Sequence, residues 1–465
     1  MRRPLLFVSL LGLALLVALA LWSPWRRPAP EVVRPAPYRD LDPAVAALVE
    51  RTIARVLERP REAGAHGDLG LVYEANQLWA EARACFETAV ALDPSHPGWR
   101  LHLALAARQT GDHATARTLL ETLARDAPDL PAVHERLGEA RLEAGDLDGA
   151  ARAFQRVIDL APQQSNGYTR LGDVLLQQGR VEEALALLEQ AVSLDPEDRQ
   201  AFYLLGRAYQ RLGRADEAEA ALAKGRDATP RYLPDPLSER VQRYAVNLPA
   251  RLERAGWLLQ AGHPDQAATL LQQALRDHPD NPDVLNNLAV AYLHMNRLDE
   301  AHTLLERARA LDDRRFGTYL NLASWALRTG DPARALAYAE DALARAPDQV
   351  QIQMTRAQAL AALDRTAEAL AAAEDAHRLA PDQAAPLALA GDLLLQLDRP
   401  AEAAGRYREA LRLDPDLLPA LIGLTRAALR LGQTDEARRT FERARRLAPE
   451  HPYVARLTRQ FQDRP

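Results

Sequence analysis

Two asparagines, Asn287 and Asn321, lie 34 residues apart at equivalent positions of two similar stretches. A carboxamide offers both donors and an acceptor, so it can bind the N–H and C=O groups of a peptide backbone. Two carboxamides in consecutive positions can hold an extended peptide without reading its side chains. The pair therefore predicts a peptide-binding site. The competing interpretation is two exposed helical asparagines that bind nothing.

A second group of candidate binding residues combines arginines with an aromatic ring. Tyr203, Arg207 and Arg211 follow one another at helical spacing, and Arg426 and Arg430 do so later in the chain. Guanidinium groups bind carboxylates through paired hydrogen bonds, so these side chains are suited to an acidic residue or a peptide C-terminus. We predict that they line the same peptide-binding surface as the asparagines.

The sequence contains no pattern that indicates catalysis. The eleven histidines are scattered, and none belongs to an H-E-x-x-H motif or is paired with acidic residues at ligand spacing. Cys85 is the only cysteine, which excludes a disulfide framework and a cysteine zinc site and favours a role in packing. Gly64, Gly67 and Gly70 follow no strand, which argues against a phosphate loop. We predict no enzyme activity, no cofactor and no metal.

A period of 34 residues positions the candidate residues. Residues 165–196 place apolar side chains at helical spacing on both sides of Gly179 and end at Pro196, which predicts two amphipathic helices of about three turns each. Proline ends a helix because it lacks an N–H and restricts the residue before it. Prolines recur in register: Pro60, Pro94, Pro128, Pro162, Pro196, Pro230, Pro279, Pro347, Pro381, Pro415 and Pro449.

The turn inside each unit carries only glycine, asparagine or aspartate, the residues that most readily adopt a left-handed helix end. These turn residues are Gly111, Gly145, Gly179, Gly213, Gly262, Asn296, Gly330, Asp364, Asp398 and Gly432. Small residues recur at two further positions, one of which includes Ala184 and is always alanine. They allow close helix approach, so a leucine at Ala184 is expected to overpack the core at a cost of about 1–3 kcal/mol.

These features together resemble the tetratricopeptide repeat (TPR), a helix–turn–helix unit of 34 residues. The first unit matches the TPR pattern best, through Leu69, Gly70, Tyr73, Ala82, Phe86, Ala89 and Pro94. Eleven units cover about residues 63–449, with local departures at Arg356-Ala357, where Leu-Gly is expected, and at Asp313, where proline is expected.

The resemblance implies an all-α fold, a right-handed TPR superhelical solenoid of about eleven repeats. The first helix of each repeat would line a concave groove, where a peptide-binding TPR protein meets its ligand. Asn287 and Asn321 are similar to the asparagine ladder of the TPR region in O-linked N-acetylglucosamine transferases. The lysine–asparagine carboxylate clamp of chaperone-binding TPR domains is not matched.

The first 22 residues predict a membrane-spanning hydrophobic helix. An uncharged apolar run over residues 5–22 follows Arg2 and Arg3, at the short end of the length that a bilayer requires. A cleaved signal peptide is the competing interpretation. We expect a single-pass membrane protein with its repeats on the extracytoplasmic, periplasmic side. Secretion after signal cleavage and cytoplasmic repeats are the alternatives.

The remaining segments follow from composition and register. We expect a Pro-rich linker over 23–40, an N-terminal capping helix over 41–60, repeats over 63–230, an insertion over 231–247, repeats over 248–449 and a C-terminal capping helix over 450–465. The insertion has two interpretations. It is either a spacer or a segment that folds into the groove through Tyr232, Leu233 and Tyr244.

The overall charge and the repeats together define the expected function. A net charge of -6 argues against a nucleic-acid partner. We predict a membrane-tethered scaffold that binds a protein or peptide segment in its concave groove and assembles an envelope complex. The alternative is a non-catalytic subunit that presents substrates to a separate transferase or secretion enzyme.

Overall fold

The computed structural model describes residues 29–35 and 41–462. Within these residues the fold is all-α, with 25 helices and no strand. The chain divides into two units, Met1–Asn247 and Leu248–Pro465. Each unit is a stack of helix pairs, which agrees with the repeat period of the sequence.

The described part of the first unit contains twelve helices. They are α1 Pro43–Glu58, α2 Ala63–Ala75, α3 Trp79–Leu92, α4 Pro97–Gln109, α5 His113–Asp126, α6 Pro131–Glu143, α7 Leu147–Leu160, α8 Ser165–Gln177, α9 Val181–Leu194, α10 Arg199–Arg211, α11 Ala215–Lys224 and α12 Ser238–Tyr244. Helix α1 packs on α2 through a buried apolar face and closes the stack. The five repeats are formed by α2–α11, and α12 lies in the insertion.

The second unit contains six repeats and a final helix. Its helices are α13 Leu248–Gln260, α14 Pro264–Asp277, α15 Pro282–His294, α16 Leu298–Leu311, α17 Phe316–Arg328, α18 Pro332–Arg345, α19 Val350–Ala362, α20 Thr366–Leu379, α21 Ala384–Gln396, α22 Pro400–Leu413, α23 Leu418–Arg430, α24 Thr434–Leu447 and α25 Pro452–Gln462. Val454 and Leu457 of α25 are buried against the last repeat, so α25 covers its apolar surface.

The turn between the two helices has the geometry that the sequence predicts in ten of the eleven repeats, and in the first repeat Gln77 takes the same left-handed conformation (φ 64°). Every residue of the Gly/Asn/Asp series has a positive φ, between 55° and 85°. Asn296, Asp364 and Asp398 adopt this left-handed conformation at a smaller cost than other residues with a Cβ atom. These local signals fix the helix ends independently of tertiary packing.

Several repeats are packed by matching a small residue on the first helix to a large one on the second. A Cβ atom added at Gly70, Gly138 or Gly391 would lie only 2.5–2.6 Å from the ring of Phe86, Phe154 or Tyr407, respectively. All three rings are fully buried. The absence of a Cβ therefore makes the space that the aromatic ring fills. Ala184 is also fully buried, as the sequence predicts for the alanine position.

First helices of neighbouring repeats contact one another in both units, and in the second unit they form one continuous layer. Helices α2 and α4, and α8 and α10, are in contact, as are successive first helices from α13 to α23. Second helices of successive repeats do not approach each other to the same extent anywhere in the described ranges. In a curved stack, successive elements on the inner side lie closer to each other than those on the outer side. The first helices therefore form the inner layer of each unit.

No helix within residues 29–35 and 41–462 is both long and apolar enough to span a bilayer. The longest helix, α1, has 16 residues, whereas spanning requires about 20. This finding contradicts the predicted single-pass membrane localisation. Residues 5–22, which carry the predicted hydrophobic helix and membrane contact, lie outside the described residues.

Part of the predicted linker contacts the first repeat. Residues 29–35 form neither helix nor strand, and Val32 and Val33 pack against the core of the first repeat. The Tyr73 hydroxyl donates a hydrogen bond to the Val33 carbonyl oxygen at 2.9 Å. This stretch is therefore attached to the repeats rather than extended away from them.

Candidate functional site

The two predicted asparagines lie on neighbouring first helices of the second unit. Asn287 is on α15 and Asn321 is on α17, and both are half-buried. The Asn321 Nδ2 group donates a hydrogen bond to Asn286 Oδ1 at 3.0 Å. The carboxamide of Asn321 is therefore bound to a residue that is absent from the predicted site. The side chain of Asn287 makes no hydrogen bond among the described residues. The structure thus adds Asn286 to the polar row.

Two of the predicted arginines bind the ends of neighbouring helices. Arg211 donates to the Leu176 carbonyl at the end of α8, and Arg430 Nη1 donates to the Leu395 carbonyl at the end of α21, at 2.8 Å. Arg328, which was not predicted, makes the same contact with Leu293. Each of these carbonyls also accepts a hydrogen bond from the N–H of the turn residue, so the arginine adds a second hydrogen bond, from the next repeat. These three arginines therefore link neighbouring repeats by hydrogen bonds. A ligand would bind the N–H groups that these contacts do not use.

Tyr203 and Arg207 lie together on α10. Tyr203 is exposed, and the Arg207 guanidinium carbon lies 5.9 Å from the centre of its ring. Asn287 and Asn321, by contrast, belong to the second unit. The residues predicted to form one surface therefore fall into two sets, one in each unit.

Arg426 lines a pocket inside the second unit. The pocket has a volume of about 540 Å³ and is formed by the first helices α19, α21 and α23 together with α25. Arg426 Nη1 lies 3.9 Å from Asp392 Oδ1, and His451 and the half-exposed Tyr453 contribute aromatic walls. This arrangement of a cation, a carboxylate and aromatic rings suits a polar peptide side chain.

The insertion, residues 231–247, lies on the inner layer of the first unit, and we name it the strap. It follows the first helices in reverse order, from α8 through α6 and α4 to α2. Its only helix, α12, packs on α2. Of the two interpretations of this segment, the structure therefore shows the one in which it folds onto the first helices.

Side chains of α6 and α8 bind the backbone at the start of the strap. Asn166 Nδ2 donates to the Arg231 carbonyl oxygen at 3.1 Å, and the Leu233 N–H donates to Glu135 Oε2 at 2.8 Å. Glu135 also accepts a hydrogen bond from Asn166 and is fully buried. Burial raises the pKa of Glu135, although its hydrogen bonds and nearby arginines oppose this shift. An extended segment is thus recognised through its main chain.

A single asparagine binds the other end of the strap. Asn76 Nδ2 donates to the Tyr244 carbonyl oxygen at 2.9 Å, while Asn76 Oδ1 accepts from the N–H groups of Val246 and Asn247 at 3.3 and 3.2 Å. This carboxamide uses its donor and acceptor as we expect of Asn287 and Asn321, but at a different place in the chain.

Three side chains of the strap occupy specific places on the first helices. The guanidinium carbon of Arg136 lies 3.4 Å from the centre of the Tyr232 ring. Leu233 is buried against Ala132 and Val157. Leu237 packs so closely on α4 that a Cβ atom added at Gly98 would lie 2.8 Å from its methyl group. The glycine at this position therefore makes room for the strap.

A buried histidine joins the strap to two repeats. His102 Nδ1 lies 2.6 Å from Glu74 Oε2, and its Nε2 lies 3.2 Å from Asp235 Oδ1 of the strap. Burial by itself lowers the pKa of His102, but the two carboxylates outweigh this effect and raise it to about 9. Desolvation likewise raises the pKa of Asp235, yet the contacts with His102 and Ser238 bring it well below its usual value. His102 and Asp235 are therefore both ionised at neutral pH.

Possible metal ligands and the single cysteine complete the chemistry of the described residues. Within residues 29–35 and 41–462 no group of three or more His, Cys, Asp or Glu residues could hold a metal ion. Cys85 is buried, and burial raises the pKa of its thiol, which keeps it protonated. Neither a metal-assisted reaction nor a reactive thiolate is indicated by the described residues.

The chain belongs to the tetratricopeptide repeat family. Three models of this repeat match it, one over residues 141–201, 175–236, 258–324 and 394–461, one over 101–165 and 320–384, and one over 63–96. The family and the inner layer of first helices together define a protein-interaction scaffold. No significant match was found among curated protein sequences.

Solved structures with a similar arrangement of helices include yeast Tom70, with 17% identity, a TM-score of 0.39 and coverage of 86% of this chain and 95% of that one. Cut9 in the APC/C hetero-tetramer Cut9–Hcn1 has 14% identity, a TM-score of 0.41 and coverage of 88% and 90%. A MamA protein has 23% identity, a TM-score of 0.33 and coverage of 35% and 89%. Likenesses of this size carry no argument about function.

Proposed function

We propose that the second unit is a non-catalytic scaffold that binds an extended segment of a partner protein along its first helices. The proposed contacts are Asn287 and Asn321 on α15 and α17, and Arg426 at the pocket further along. The carboxamides would bind the partner's backbone, and the pocket would accept a polar side chain. Arg430 lies one turn from Arg426 and adds positive charge beside it.

The observation that carries this proposal is the strap on the first unit. There, the same layer of first helices holds an extended segment of irregular backbone, through Asn76, Glu135 and Asn166. The repeats over 248–449 contain no comparable insertion of their own. In the first unit, the first helices bind a segment of the same chain. We propose that the first helices of the second unit bind a segment of a partner protein in the same way.

Photo-crosslinking tests this proposal. A benzophenone amino acid at position 287, on the inner layer, should capture a partner segment, whereas the same group at Asp299, exposed on the second helix α16, should not. The double variant Asn287→Ala/Asn321→Ala should recover less of that partner at unchanged helicity. Gln273→Ala removes an exposed amide from the second helix α14 and serves as the matched control.

The results that contradict the proposal are equally defined. Identical adducts from positions 287 and 299 would show capture by chance collision. Equal partner recovery from the wild type and the Asn287→Ala/Asn321→Ala variant would exclude the asparagines as contacts.

A further inference from the structure

Few side chains of the strap are buried, although Val241, Tyr244 and Val246 add half-buried apolar contacts with the core of the first repeat. Leu233 and Leu237 are its fully enclosed side chains, at 7% and 5% exposure, and α12 has no buried residue. Tyr232 is still 37% exposed, and the side chain of Arg231, which pairs with Asp195 at 2.7 Å, is 64% exposed. Release of the strap would expose the core residues that Leu237 covers, but the helices of the repeats also pack directly on one another and can stay together without it.

The surface beneath the strap, by contrast, is built to receive a ligand. Glu135 is completely buried, and its two hydrogen-bond donors are Asn166 and the Leu233 N–H. His102 is 1% exposed and faces Asp235 with one ring nitrogen. Leaving buried polar groups without partners is costly. These groups therefore require an occupant that supplies a backbone N–H and, two residues later, a carboxylate.

The strap meets these requirements with the short sequence Leu233-Pro234-Asp235. The leucine fills the space between Ala132 and Val157, its own N–H binds Glu135, and the aspartate reaches His102. Proline in the middle restricts the backbone and removes an N–H that would need a partner. The chemistry that this surface recognises is thus an extended segment of the form Leu-x-Asp.

We propose that the inner layer of the first unit is a second binding site, for a Leu-x-Asp segment of a partner protein, and that the strap is its displaceable internal occupant. The site involves α2, α4, α6 and α8, and it does not depend on whether the second unit binds anything. Because the strap is part of the same chain, its effective concentration is in the millimolar range, on the order of that for other short tethers. A partner binds only if it competes successfully with the strap.

Trypsin provides a readout of strap position in the full-length protein. Arg240 lies in α12 and is paired with Asp68 of α2, so a docked strap protects the bond that follows it. A synthetic peptide of residues 232–239 carries both leucines and the aspartate but no tryptic site. At millimolar concentration, on the order of the strap's own effective concentration, this peptide should accelerate cleavage after Arg240 in the wild type.

Matched controls define the specificity of this effect. The same peptide with Leu233→Ala and Asp235→Asn should leave the cleavage rate unchanged. In the full-length variant Leu233→Ala/Asp235→Asn, cleavage after Arg240 should be faster without any peptide, and the fluorescein-labelled wild-type peptide should bind about tenfold more tightly or better than to the wild-type protein. Circular dichroism checks that this variant keeps its helices. The competition between peptide and strap in the wild-type protein does not depend on the folding of any variant.

Three outcomes would overturn the proposal. The first is that neither the peptide nor the double substitution changes cleavage after Arg240, which would make the strap a permanent part of the fold. The second is that the strap is released but the peptide does not bind. The third is a wild-type dimer in light scattering that exchanges straps, which would identify a second copy of this chain as the occupant.

Discussion

Replacing Gly391 with alanine should destabilise the second unit, although glycine-to-alanine changes inside helices usually stabilise. Alanine gains about 0.5–1 kcal/mol over glycine in a helix interior. A Cβ atom at Gly391, however, would lie 2.6 Å from Cε1 of the buried Tyr407 ring. Overpacking of this kind costs about 1–3 kcal/mol. Gly423 of the next first helix also abuts the ring, which limits how far the ring can move.

The same repeat offers a matched control. Gly405 lies inside α22, is exposed and has nothing within 4 Å of its added Cβ atom. Gly405→Ala should therefore stabilise by the helical term alone. The difference in free energy of unfolding between the two variants cancels the gain in helix propensity. It therefore measures the contact with Tyr407 and should be about 1–3 kcal/mol. A difference of 2 kcal/mol corresponds to roughly 4–8 °C in melting temperature for a domain of this size.

Thermal and urea unfolding of the full-length protein, followed by circular dichroism, measures this difference. A double-mutant cycle with Tyr407→Leu adds a second check, because leucine faces alanine in the repeat of Ala255 and Leu271. The cost of Gly391→Ala should fall in the Tyr407→Leu background. If Gly391→Ala stabilises as much as Gly405→Ala, the explanation of the small residues by ring packing is wrong.

Two further predictions concern the first unit. Because the pKa of His102 rises from 6.5 to about 9 on folding, its contribution to stability is complete below about pH 6.5 and is lost as the pH rises through 9. The urea midpoint of the first unit should therefore fall more between pH 6 and pH 9.5 in the wild type than in His102→Gln, and an equal fall in the two proteins would contradict the raised pKa of His102. Ala184→Leu should lower the melting temperature, since Ala184 is fully buried. Unchanged melting would show that this position has room.

Most of the helical framework could be predicted from the sequence because its signals are local. A glycine, asparagine or aspartate at the turn and a proline after the second helix act within a few residues of where they stand. The family resemblance, the all-α fold and the repeat period are confirmed by the structure and the family models. Membrane localisation was inferred from residues 5–22 alone, and no such span occurs in the described part of the chain.

The candidate site was harder to predict because its contacts join distant parts of the chain. Asn76 binds Val246 and Asn247, 170 and 171 residues away, and no periodic signal relates them. Arg211 binds a carbonyl 35 residues earlier in the chain, and its contact with a ligand stays a prediction. Arg328 and Arg430 make equivalent contacts. The sequence shows only that an arginine stands at the end of each of these first helices. Glu135 gave no signal in the sequence, because its burial is apparent only in the folded chain.

The strap also changes how the first unit should fold. A repeat array normally joins each module only to its neighbours, so its ends can unravel one module at a time. The bonds from Asn76 to residues 244–247 connect the first module to chain made after the fifth, which closes the array. Closure of so long a loop slows the final folding step but makes the modules unfold together. The first unit should thus melt in a sharper transition than the second, whose contacts are those between neighbours.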